Sequence, residues 1–229
     1  MVDKIEELNK KFKELVQKPI KSKGEIELQQ EISVAIEKAL NDETKSLLNE
    51  LNAVGVNVTS LWELVNTKSK YSNAIPVLIE HLTKNYSEKS KEGIIRALAV
   101  KEATGKASAV LLDEYNKIPK DKMLFRWAIG NTVFITITED DVDRILPIIL
   151  DKENGNSRQM FIAALGKLSS VKAEDVLIKL LDDDEVAAQA LEALGRMKSK
   201  KAREKILTLT SHPNALIKKE AQKTLKKLS

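Results

Sequence analysis

Hydrophobic positions along this chain recur at intervals of three and four residues. That is the period of an α-helix with one buried stripe. Ile5, Leu8, Phe12, Leu15 and Val16 predict a helix over 2–18, and Ile26, Leu28, Ile32, Ile36 and Leu40 predict a second over 24–40. Asn41-Asp42 offers an N-cap for a third segment, which carries Leu47, Leu48 and Leu51 and stops near Gly55. Thr59-Ser60 caps a short fourth over 61–65. No segment shows clear period-two alternation. The run Val133 to Thr138 is strand-like in composition, yet helical patterns flank it and it has no partner. It reads as the end of a helix or a buried connection.

From about residue 71 the pattern repeats. Five segments end in a similar phrase: Arg96-Ala97-Leu98-Ala99, Trp127-Ala128-Ile129-Gly130, Ala163-Ala164-Leu165-Gly166, Glu192-Ala193-Leu194-Gly195 and Lys223-Thr224-Leu225-Lys226. The anchors Leu98, Ile129, Leu165, Leu194 and Leu225 are spaced by 31, 36, 29 and 31 residues. A further apolar helix precedes each phrase, over 74–82, 107–115, 142–150, 173–181 and 202–210. Each unit is thus a helical hairpin of roughly thirty residues, which cannot bury its apolar face alone and must stack on its neighbours. The small residues of the phrase, such as Gly130, Gly166 and Gly195, suit a close approach of helices.

The motifs within these units resemble a known family. Leu180-Leu181-Asp182-Asp183-Asp184-Glu185-Val186 leading into Ala190-Leu191-Glu192-Ala193-Leu194-Gly195 resembles the short HEAT-like repeat, the type also named for phycobilisome lyases. Residues 154–166 match it more loosely, and Pro76 and Pro147 match the family's proline early in the first helix. The resemblance covers about 71–229 and implies an all-α fold: an α-solenoid of stacked antiparallel helical hairpins wound into a right-handed superhelix. Residues 1–70 are expected to form an N-terminal helical extension or divergent repeats.

Composition narrows the function classes. The 229 residues are 42% hydrophobic and 31% charged, with 8 Gly and 5 Pro, which excludes a disordered or turn-rich β chain. Cysteine is absent, so disulfides, thiolate nucleophiles and Cys-based zinc sites are excluded. The longest apolar runs, such as Ile145 to Leu150, fall well short of the roughly twenty residues that span a bilayer. No signal peptide is read at the start, and a cytoplasmic location with no membrane partner is expected. The sequons at Asn57 and Asn85 are then accidental.

Little in the chain points to chemistry. His81 and His212 are far apart in sequence, and each reads as an ordinary surface or packing histidine. No HExxH pair, nucleophile elbow or phosphate-cradling loop occurs. The acidic clusters Glu139 to Asp143 and Asp182 to Glu185 lack the spacing of a calcium loop and precede helices, where carboxylates act as caps. No metal, cofactor or catalytic residue is expected. Trp127 reads foremost as packing between repeats and otherwise as an aromatic contact for a partner. HEAT-like alkylpurine glycosylases use aromatic and acidic residues on such a face, but no carboxylate follows Trp127 within a turn.

Charge says more. Residues 196–229 carry eleven Lys and Arg against two acids, a net +9, which leaves −5 on residues 1–195. This basic end is either a solvated terminal cap or an attractor of phosphates or acidic partners. Seven residues before the anchors stand Lys91, Lys122, Arg158, Ala187 and Lys218. The basic members predict a ladder along the second helices, extended by Arg126 and Arg96. In the resembled family such a position often carries Arg, so the ladder either bridges acids of adjacent repeats or lines a concave groove for an acidic ligand. The function expected is a non-catalytic scaffold for an acidic protein or peptide. The alternative is nucleic-acid binding through the basic end, including a HEAT-like DNA glycosylase. A third reading, a partner subunit in lyase-type chemistry on a protein-bound chromophore, rests on the repeat's family name alone.

Overall fold

A computed structural model describes residues 2–228. It is 75% helical, with fourteen α-helices and no strand among the described residues. The chain forms two compact units, Met1–Leu98 and Ala99–Ser229, so the first unit extends past residue 70 and takes in the first repeated hairpin.

The first unit holds α1 (Val2–Val16), α2 (Lys23–Glu43), α3 (Lys45–Ala53), α4 (Leu61–Asn66), α5 (Ala74–Leu82) and α6 (Glu88–Ala97). α2 starts at a capping box: Ser22 Oγ accepts from the Glu25 N–H, and the Glu25 carboxylate accepts from the Ser22 N–H at 2.9 Å. Asn41 and Asp42 lie inside the last turn of α2 and do not cap α3. The junction is Thr44, whose N–H and hydroxyl both donate to the Leu40 carbonyl, at 2.9 and 2.7 Å. α3 ends ahead of Gly55, whose φ of 83° is the left-handed conformation that glycine adopts without penalty. The Glu43 carboxylate accepts from the Ser87 N–H at 2.8 Å and from the Ser87 and Ser90 hydroxyls, so the end of α2 is tied to the start of α6.

The second unit stacks four hairpins. They pair α7 (Ser108–Lys117) with α8 (Met123–Thr136), α9 (Val142–Leu150) with α10 (Gln159–Leu168), α11 (Glu174–Lys179) with α12 (Ala187–Met197), and α13 (Arg203–Thr208) with α14 (Ala215–Lys227). The second helices α8, α10, α12 and α14 pack in chain order as one row. Ile129, Leu165 and Leu194 are fully buried in that row, as the repeat predicts. The phrase glycines set its spacing: a Cβ on Gly166 would lie 2.5 Å from Ala193 Cα. The strand-like run closes α8, with Ile137 as its last cap.

The final repeat departs from the pattern. Leu225 is half-buried, and Thr224 takes the inward place instead, its hydroxyl donating to the Leu191 carbonyl at 3.0 Å. α14 packs on α12, and the residues it buries are Ile217, Ala221 and Thr224.

Candidate functional site

The second helices differ in where they begin, and this breaks the equivalence the ladder assumed. Lys91 lies within the first turn of α6, Lys122 and Arg158 precede α8 and α10, and Lys218 lies within the first turn of α14. Lys122 and Lys218 are exposed and Lys91 is half-buried. Arg158 is fully buried. Its Nη1 donates to Asp183 at 2.8 Å and to the Ile149 carbonyl at 3.3 Å, its Nη2 donates to Glu185 at 2.8 Å, and its Nε donates to the Gly155 carbonyl at 3.0 Å. Burial pushes the Asp183 carboxyl up, but the bond to Arg158 and its charge outweigh this and hold it below the ordinary carboxylate range. The cluster 182–185 therefore serves Arg158 of the preceding repeat; the N-cap of α12 is Val186, with no side-chain cap, contrary to the expected capping role. The earlier acidic cluster does cap: Asp141 accepts from the Thr138 N–H and hydroxyl, at 2.9 and 3.1 Å.

Arg126 also points inward, at 4% exposure. Its guanidinium stacks 4.0 Å from the Tyr115 ring centroid and donates to the Ile118 carbonyl at 2.9 Å and to Asn154 Oδ1 at 2.5 Å. Tyr115 in turn shares a 2.7 Å hydrogen bond with Ser157. Arg126 and Arg158 thus join neighbouring hairpins through a buried polar seam, and neither is an exposed cation. Of the two roles open to the ladder, bridging adjacent repeats describes Arg158.

Trp127 is the opposite case. It is 41% exposed, so it does not pack between repeats. On α8 the residues Arg126, Ala128, Ile129, Gly130, Thr132, Val133 and Thr136 are buried, and the opposite side carries Leu124, Trp127, Asn131 and Phe134. Their spacing of three, four and three residues makes one stripe. Leu124 is 85% exposed, and Asn131 and Phe134 are half-buried. A helix apolar on both sides is ordinarily covered on both; here Leu124 and Trp127 stay exposed, while Lys167 lies over Phe134. Two residues before the anchor, where α8 has Trp127, the helices α6, α12 and α14 carry Arg96, Glu192 and Lys223. α10 carries Ala163 there, so α8 alone places a large apolar side chain at this register.

Positive charge lies at the end of that stripe. Lys167 Nζ sits 5.1 Å from the Phe134 ring centroid and donates to the Phe134 and Ile135 carbonyls, at 2.8 and 3.2 Å. It thereby caps the electronegative end of α8. Burial lowers its pKa and the charge of Lys101 lowers it further. The arrangement is an apolar surface ending in two cations that repel each other, and it can take an apolar segment followed by a carboxylate. Leu124, Phe134, Lys101 and Lys167 escape a reading from sequence. The signal for the stripe was present in the spacing, but α8 is apolar all round, so only packing reveals which side stays uncovered. Part of the basic C-terminal end is neutralised locally: Arg196 pairs with Glu192 at 2.8 Å, Lys201 with Asp175 at 2.5 Å, Lys223 with Glu220 at 3.0 Å, and Lys205 with Asp182. No described helix is long and apolar enough to cross a membrane.

A protein-family model described as HEAT repeats matches residues 142–226, which contain α9 to α14 but for the last residue of α14. No curated protein and no solved structure matches the chain.

Proposed function

With residues 142–226 being HEAT repeats, a repeat that commonly mediates protein–protein interaction or scaffolding, we propose that this chain is a non-catalytic scaffold whose second-helix face in the unit Ala99–Ser229 holds an acidic, apolar peptide segment. Trp127 and Leu124 anchor the segment, Phe134 extends the surface, and Lys101 and Lys167 receive its carboxylate. Exposed Lys122 adds to on-rate and orientation at the start of α8. The observation that carries this reading is the exposed pair Leu124 and Trp127 on α8, Trp127 standing at a register where α6, α12 and α14 carry Arg96, Glu192 and Lys223. A large aromatic ringed by smaller apolar groups is a usual interface centre, and a few such residues carry most of the binding energy.

The test is selection of random displayed peptides on the wild-type chain, with counter-selection on a Trp127→Ala, Leu124→Ser variant. Enriched sequences are expected to place aliphatic or aromatic residues ahead of Asp or Glu. Binding is expected to weaken about a hundredfold in Trp127→Ala, a typical loss for an interface centre, and less in Lys167→Glu. Enrichment of sequences that bind both baits equally would overturn the reading. Steeply salt-dependent binding of duplex DNA with no peptide enrichment would favour nucleic acid at the basic end instead.

A further inference from the structure

We propose that Glu50, Glu80 and His81 in the unit Met1–Leu98 form a zinc site, for which the Lys84 ammonium is the internal stand-in. His81 is fully buried, and Glu50 on α3 and Glu80 on α5 reach it from the solvent side. One ligand atom from each residue lies within 4.8 Å of the others, and His81 Nε2 stands 3.0 Å from the Glu50 carboxylate. Tetrahedral zinc, at about 2.0–2.1 Å from each ligand, separates its ligands by about 3.3 Å. The His81–Glu50 pair is close to that spacing already, and Glu80, at 65% side-chain exposure, is free to adjust.

The hydrogen bonding around Nε2 is inconsistent without a metal. Lys84 Nζ lies 2.9 Å from Nε2, 2.9 Å from Glu80 and 3.9 Å from Glu50. To satisfy Glu50, Nε2 must carry a hydrogen. To satisfy Lys84, it must offer a lone pair. One nitrogen cannot do both, so either protonation state leaves one close contact repulsive. A divalent cation in place of the ammonium accepts the lone pair and both carboxylates together. Behind the ring, His81 Nδ1 is 2.6 Å from the Tyr86 hydroxyl, the second partner that fixes a metal-binding imidazole. One imidazole with two carboxylates suits zinc better than the hard cations magnesium and calcium, which take all-oxygen shells. The Lys84 side chain is 40% exposed and flexible, so its ammonium can swing out to solvent. Bound zinc would clip α3 to α5.

The test titrates the chelator-treated full chain with ZnCl2 by calorimetry, and with CoCl2 by visible absorption, in which tetrahedral cobalt shows strong ligand-field bands. One equivalent is expected to bind and to raise the melting temperature. Lys84→Met removes the competing cation and should tighten binding. Glu80→Gln should weaken it at least about tenfold, and Tyr86→Phe about tenfold through the ring's support. His212→Ala, which removes the only other histidine, should change nothing. Absence of binding in both wild type and Lys84→Met would overturn the proposal. So would binding that survives Glu80→Gln or is lost with His212.

Discussion

The row of second helices in Ala99–Ser229 and the α1–α2 hairpin share one hydrophobic period but bury it to different depths. α12 buries seven residues, Ala187, Ala188, Ala190, Leu191, Ala193, Leu194 and Gly195, because α10 lies on one side and α14 on the other. α2 is longer, yet buries only Ile32, and α1 buries only Ile5 and Leu15. Val16, Ile20, Ile26, Leu28 and Val34 stand 45% to 87% exposed. A period of three and four says that a helix has a stripe; it does not say how many neighbours will cover it. α12 is held by packing, whereas α2 leans on local terms: its capping box, the exposed i,i+4 pair of Lys23 with Glu27, and its length. Variants that remove packing contacts should therefore act strongly in the row and weakly in the hairpin. The two tryptophans separate the readouts, since Trp127 reports the second unit and Trp62 the first.

The largest effect is expected at Arg158. Arg158→Ala leaves Asp183 without its partner, strands the Ile149 and Gly155 carbonyls and opens a cavity at a fully buried site. We expect a loss of about 3 kcal/mol, typical of removing one member of a buried ion pair. It should be read as a lower urea midpoint of Trp127 fluorescence in a Trp62→Phe background. Arg158→Lys should recover little, because an ammonium cannot reach Asp183, Glu185 and two carbonyls from one fork. In the hairpin, Lys11→Ala breaks only the exposed pair with Glu7 and should leave the Trp62 midpoint unmoved.

That Arg158 holds the row together was half legible. Its place seven residues before an anchor was visible, and so was the choice between bridging adjacent repeats and lining a groove. What decided it is three-dimensional: the turn after Asp151 contains Gly155 at a φ of 50°, and this turn carries Arg158 inward toward Asp183. The hairpins themselves were readable almost to the residue, since repeated small residues leave a periodic signature. Before residue 71 no phrase recurs, so the α2–α3 junction at Thr44 was misplaced onto Asn41-Asp42. The α8 stripe stayed hidden for a related reason. Trp127, Ile129 and Val133 are equally apolar, and only burial tells the covered from the uncovered.

Next in size is Gly166→Ala. The added Cβ would stand 2.5 Å from a backbone atom of α12, so the two helices must separate. Overpacking of this kind costs about 1–3 kcal/mol. Gly195→Ala should cost less, because its nearest neighbours are side-chain atoms of Thr224 at 3.1 Å, which can yield. Equal losses in the two variants would mean that the row is less tightly set by its glycines than the geometry implies.

A smaller effect is expected from acid. The native Asp183 pKa lies below its unfolded value, so its contribution is fully present above the unfolded pKa of about 3.9. It is lost as pH falls through the lower native value. Asp183→Asn should therefore lower the Trp127 midpoint at neutral pH, and the gap to wild type should close at the acid end. A gap that stays constant with pH would show that packing, not charge, holds Arg158 to its partner.

The smallest effect has the opposite sign and comes from the hairpin. Gly24 is the second residue of α2, and a Cβ there would meet nothing within 4 Å. Gly24→Ala is the same substitution as at Gly166, but it adds no contact and only restricts the unfolded chain. It should stabilise the helix by about 0.4–1 kcal/mol. In a helix supported by propensity and caps, that gain should appear as higher helicity on heating, followed by circular dichroism, and as slower proteolysis near Pro19-Ile20. Were Gly24→Ala destabilising instead, the exposed face of α2 would have to be covered, and the contrast with α12 would be one of partner, not of kind.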